Sequence, residues 1–129
     1  MAKGTKVKLV LLYRLPQALE PDLADIAGRD RVSMEYVLLA LAREGREILR
    51  ALNGEDDVGL LTEEAKGFGG LTEGVKVIGN PMTVYVCPAA LHAMHRAEGD
   101  PWRALPKATV VGPYFTAIVA RLIKARRAE

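Results

Sequence analysis

One stretch constrains this chain more than any other: Thr83-Val84-Tyr85-Val86-Cys87-Pro88-Ala89-Ala90-Leu91-His92-Ala93-Met94. A β-rich run stops at the only cysteine, proline follows at once, and an alanine-rich run of helix formers comes next. That order predicts strand, turn, helix. It places Cys87 at or next to a helix N-cap and Pro88 at the first helical position, where a missing N–H costs nothing. A thiol there feels the positive end of the helix dipole and nearby unpaired amides. Both favour the thiolate, the nucleophilic form. The competing expectation is a packed cysteine that behaves as a small hydrophobe.

The rest of the chain must supply what this unit packs against. At 129 residues it has the length of a single domain with a real core, and half of its residues are hydrophobic. The net charge of +2 implies no strong electrostatic partner for the whole chain. A lone cysteine makes no internal disulfide and fits a reducing compartment, so a cytoplasmic location is expected. Met1–Lys6 leads into an apolar run without a convincing cleavage site, so no signal peptide is expected. The longest uncharged run, 77–94, is broken by Pro81 and Pro88, and no membrane helix is assigned there.

Val7–Tyr13 is nearly continuous apolar sequence, which suits a central parallel strand covered on both faces, with Arg14 at its carboxyl end. A connector follows over 15–30, with room for a short helix near Asp22–Ala27. Ser33 or Asp30 can cap a helix to about Glu44, whose apolar face is Met34, Val37, Leu38 and Leu41. Gly45 fits a helix stop. The segment 46–52 then reads either as a continuation of that helix or as a second strand before Asn53-Gly54. The strand is preferred, because it completes a β-α-β unit. A short helix is expected from Asp56 or Asp57 to Lys66, then a glycine-rich loop over 67–74 and an extended piece at Val75–Ile78. After the Cys87 unit, 100–106 forms a connector. Ala108–Val111 is predicted as a further strand, and Gly112-Pro113 as the start of a last helix whose face is Phe115, Ile118, Val119 and Leu122.

Alternating strands and helices imply an α/β class: a single three-layer α/β/α domain over residues 1–129, with a mostly parallel sheet of four to five strands. Ligands in such folds bind at the carboxyl ends of the strands. Cys87, Arg14 and Gly112 would share that edge, with Arg14 and Gly112 as accessory residues.

Several chemistries are disfavoured. A phosphate-cradling Cys-x5-Arg loop needs arginine at position 93, where Ala93 stands. A Cys-x-x-Cys pair needs a thiol at position 90, where Ala90 stands. Cys87, His92 and His95 on one helix turn poorly toward one metal ion. His95 reads as packed and His92 as solvated. Gly67-x-Gly69-Gly70 lacks the third glycine of a dinucleotide fingerprint and reads as a surface loop. The basic N-terminus and C-terminal helix carry no aromatic–basic motif, so direct nucleic-acid binding is not expected.

Around Val84–Met94 the chain resembles the DsrE/DsrF-like family, which places a cysteine after a core strand, before a small-residue helix with an Ala-Ala-Leu run. Leu105-Pro106-Lys107-Ala108-Thr109-Val110-Val111-Gly112 is similar to that family's next strand ending in glycine, and Gly45 with Asn53-Gly54 suits its second strand. The resemblance implies a sulfur-relay protein without a cofactor. Its Cys87 would accept sulfane sulfur as a persulfide from a donor protein and pass it to an acceptor protein, in a homo-oligomer of three or six chains. It departs from the family at Pro88, in the glycine-rich region and at its basic last helix. Thiolate attack on a persulfide needs no resolving cysteine in the same chain. A second expectation, from another class, is a non-catalytic oligomeric binding or regulatory module in which Cys87 is structural. A third is a flavodoxin-like domain holding an anionic ligand at the strand edge.

Overall fold

The last helix is the centre of the molecule. In the computed structural model, which describes residues 6–11, 14–68, 75–77 and 81–129, α5 (Lys107–Arg127) carries ten buried residues, from Val110 to Ile123. Around it pack α1 (Glu20–Asp30), α2 (Met34–Ala51), α3 (Glu55–Phe68) and α4 (Pro88–Ala97). Strand β1 (Val7–Leu11) pairs with β4 (Met82–Val86), and β2 (Arg14–Pro16) with β3 (Val75–Val77). A 3-10 turn, Gln17–Leu19, leads into α1.

Both strand pairs are antiparallel. The expected parallel sheet of four to five strands, and the three-layer α/β/α architecture with it, is therefore corrected to a mostly helical fold with two short antiparallel pairs among the described residues. The β1/β4 register sets Val7 opposite Val86, Leu9 opposite Val84 and Leu11 opposite Met82. Met82, Val84, Val86 and Leu11 are buried, Val7 and Leu9 half-buried, while Lys8 and Val10 on the other face are exposed. One face is covered by helices and the other is open, as an antiparallel pair allows. The apolar run at 7–13 suggested a strand covered on both faces, and Val10, 55% exposed, shows that this one is not.

Two segments account for the missing strands. Residues 46–52 continue α2, with Leu52 as its C-cap, and Gly45 sits inside the helix. Gly45 is buried, and a Cβ there would stand 3.2 Å from Val119 Cγ2 and 3.4 Å from Ile118 Cγ2. Its role is close approach of α2 to α5, not a left-handed stop. Arg, Glu, Leu and Ala over 46–52 are good helix formers, and the helix keeps them. Ala108–Val111 is the second correction. It forms the opening turns of α5, and Gly112-Pro113 lies inside that helix rather than before it. The β-branched run is overridden by burial, since Val110 and Val111 are sealed in the core. Pro113 removes one helical hydrogen bond without ending the helix.

Other expectations hold. Ser33 caps α2, its Oγ accepting from Tyr36 N at 3.1 Å. Val37, Leu38 and Leu41 are buried, while Met34 is 37% exposed. In α5, Phe115, Ile118 and Val119 are buried and Leu122 half-buried. The basic end of α5 is tied down. Arg127 Nε lies 2.9 Å from Asp22 Oδ1 and 3.2 Å from Asp25 Oδ2 on α1. Among the described residues α5 alone is long and apolar enough to cross a membrane by length and composition, and 56% of that window is buried within the fold, as in a core helix.

Candidate functional site

The strand–cysteine–helix unit forms as its residues dictate. β4 ends at Val86, Cys87 is the N-cap of α4 with extended backbone (φ −60°, ψ 136°), and Pro88 is the first helical residue. Cys87 O accepts the first helical bond from Leu91 N at 2.9 Å. The thiol is half-buried and packed against the core, with the α2–α3 turn beside it. Among the described residues Sγ meets one hydrogen-bond partner: the S–H faces Asn53 O at 3.7 Å, a long contact even for sulfur. The side chain makes no capping bond to the helix amides. The sulfur thus stands at the predicted place, while the group that it faces is a carbonyl acceptor rather than an amide donor.

The expected accessory residues do not gather there as a strand edge. Gly112 is a residue of α5, and Arg14 opens β2 opposite Val77, so the shared edge of a parallel sheet falls with that sheet. Pro88 adjoins Cys87 as the first residue of α4. Residues 69–74 of the glycine-rich loop lie outside the described residues, and Gly67 and Phe68 close α3. His92 is exposed and His95 is 1% exposed, as expected. No group of three His, Cys, Asp or Glu side chains suited to a metal ion occurs among the described residues.

His95 belongs to a structural lock. Its Nδ1 lies 2.9 Å from Asp100 Oδ2, while Asp100 also accepts from Ala104 N at 2.9 Å and Leu105 N at 3.0 Å. The Leu105 N–H leads, with His95 and Ala104 adding, in holding the Asp100 carboxyl below its usual range against the opposing effect of burial. These bonds fix the connector 100–106. Gly99 (φ 73°) and Arg103 (φ 55°) take the left-handed backbone that the tight path needs. The connector holds Trp102 in solvent, 91% exposed.

The site that the residue pattern did not reveal is an open apolar cleft of about 340 Å³ between α2, α3 and α5. α2 gives it Ile48 and Leu52, α3 gives Leu60 and Leu61 with Asp57, and α5 gives Ile118, Leu122 and Ala125 with Arg121. Leu60 is 74% exposed and Ile48 38%, so the apolar surface reaches solvent. Arg121 is ion-paired at the rim: its Nε donates to Glu64 Oε2 at 2.7 Å and its Nη2 to Leu60 O at 3.1 Å. That hydrogen-bonded contact raises the guanidinium and lowers the Glu64 carboxyl from their ordinary ranges. Asp57 reaches back to accept from Asn53 N at 2.7 Å, tying the turn whose Asn53 O also faces Cys87 Sγ. Size, apolar lining and a few placed polar groups match what binding clefts need. The adjacent leucines of the predicted short helix were visible in sequence. That Leu60 would face outward beside α5 depends on α2 and α5 meeting, which no local pattern states.

Comparison of the chain with protein-family models, with curated proteins and with solved structures finds no significant match, so the likeness drawn around Cys87 rests on those residues alone.

Proposed function

We propose that this chain is a binding module whose working surface is the cleft between α2, α3 and α5, with Cys87 serving the structure. The observation that carries this is an open, apolar, 340 Å³ cleft whose rim arginine is hydrogen-bonded to Glu64 and a backbone carbonyl. Preformed apolar clefts bind without the cost of ordering their walls. The occupant is an apolar group with a flat part that can lie against the Glu64-paired guanidinium of Arg121. The test uses an uncharged solvatochromic dye such as Nile red with folded protein. One dye per chain, with enhanced and blue-shifted emission, is expected. Leu60→Glu and Ala125→Glu, both at exposed positions, are expected to weaken it at least tenfold while the near-UV dichroism stays native. Dye binding that is absent, or indifferent to both substitutions, rejects the cleft as the working surface.

A second reading is supported by one observation, the half-exposed thiol of Cys87 at the N-cap of a ten-residue helix. In it Cys87 carries sulfane sulfur. The thiolate attacks the outer sulfur of a donor persulfide, the new S–S bond forms on Cys87, and the donor leaves as its thiolate. Intact mass after exposure to a persulfide donor should rise by one sulfur atom in the native protein and not in Cys87→Ser. No gain, or a gain that survives the substitution, removes this reading.

A further inference from the structure

Beyond the cleft itself lies the question of what fills it. We infer that the occupant is Trp102 of a second copy of this chain, so that the protein self-associates by seating one molecule's connector loop in another's α2/α3/α5 cleft. The inference rests on the cleft being a binding surface, as proposed above.

Three observations meet here. The first is the knob. Trp102 is the single tryptophan of the chain and is 91% exposed, an unusual place for the residue most enriched at interface hot spots. Its loop is not slack. Asp100 anchors it through His95 Nδ1 and the amides of Ala104 and Leu105, and Leu105 beside it is also 41% exposed. A rigid loop carrying an aromatic loses little freedom on docking. The second is the hole. The cleft has the volume and apolar walls for an indole, and the Arg121 guanidinium, fixed by Glu64, offers a cation to the ring.

The third is charge. Arg96, Arg103 and Lys107, all exposed, lie within six residues of Trp102 along the chain. Of the acids near it, Glu98 is exposed, while Asp100 is taken by His95 and the backbone. On α3 the positions three and four residues from Leu60 are Asp56, Asp57, Glu63 and Glu64, with Glu55 one turn earlier and Lys66 the only base. Glu64 is paired with Arg121 and Glu63 with Lys66, so the acidic part of the rim is the start of α3, Glu55, Asp56 and Asp57, and its attraction for the basic loop steers the encounter and is screened by salt.

Because Trp102 is the only tryptophan, its fluorescence reports the contact directly. Emission should shift to the blue as protein concentration rises from micromolar to millimolar at low salt. Sedimentation should show the mass rise over the same range, and added salt should reverse both. Trp102→Ala and Leu60→Glu should each weaken self-association about thirtyfold or more, the measure of a hot-spot residue. The two variants mixed should form a one-to-one complex, since one keeps the cleft and the other the knob. A closed pair and an open chain of copies both satisfy the inference. Emission and mass that stay constant with concentration overturn it, as does a Trp102→Ala protein that associates like the native one, or a variant mixture that stays monomeric while the native protein associates. Dye binding to dilute, monomeric protein separates the two proposals. If the dye binds and Trp102→Ala does not change it, but copies do not associate, the cleft stands and its occupant is another molecule. If the dye does not bind, the cleft itself is rejected.

Discussion

Gly45→Val tests the contact on which the architecture turns. An added Cβ at position 45 lies 3.2 Å from Val119 Cγ2, 3.4 Å from Ile118 Cγ2 and 3.6 Å from Phe115 Cε1. Carbon atoms prefer about 3.5–4.0 Å, so the Cβ alone forces a shift of a few tenths of an ångström. The two γ-carbons of valine add to that. Overpacking of this kind costs about 1–3 kcal/mol, and the helix propensity gained over glycine returns only a few tenths. For a chain of this length the expected fall in Tm is roughly 4–12 °C. Gly45→Ala should lie within about 1 kcal/mol of the native protein, because the gain in propensity offsets the tight Cβ. Val119→Ala opens the space that the new side chain needs. The Gly45→Val/Val119→Ala pair should therefore show a favourable coupling of about 1–2 kcal/mol in a double-mutant cycle measured by urea unfolding. A glycine that ended the helix in left-handed conformation would behave otherwise: alanine alone would cost at least about 1 kcal/mol and position 119 would not couple. Coupling of zero, or an undiminished Gly45→Val protein, would refute the packing of α2 on α5 described above.

Two further outcomes follow from the structure. Asp100 is held below the usual aspartate value near 3.8, first by the Leu105 amide and then by His95 and Ala104. Its contribution to stability is therefore present above that pH and is lost as the pH falls through the lower folded value. Urea midpoints of the native protein and Asp100→Asn should differ at neutral pH and begin to converge only as the pH falls below about 4, and a gap independent of pH would contradict the lock. Pro113 sits in the interior of α5 without an N–H to give, so Pro113→Ala should stabilise by about 1–3 kcal/mol in the same assay. A loss of stability would mean that the ring packs better than the restored bond.

The local instructions of this chain were plain wherever one residue's chemistry suffices. Ser33 is a cap, Pro88 is a first helical residue, and β4 hands over to α4 at Cys87. The apolar faces of α2 and α5 follow from spacing, and His95 is buried as its place on the α4 face implies. The sulfur's surroundings were not legible, because the carbonyl that faces it belongs to Asn53, in a turn distant along the chain.

What the sequence determined by itself, then, is where most elements begin and which of their faces are apolar, since capping, proline geometry and helical periodicity act over a few residues. What only the tertiary structure decided is the state of 46–52 and 108–111 and the existence of the cleft. A glycine at position 45 serves a helix stop or a close helix crossing equally well, and the presence of Val119 and Ile118 against it selects the crossing. Valines at 110 and 111 suit strand or helix, and burial at the centre of the molecule selects helix. The cleft depends on the lateral spacing of three helices, which is fixed by side chains far apart in sequence.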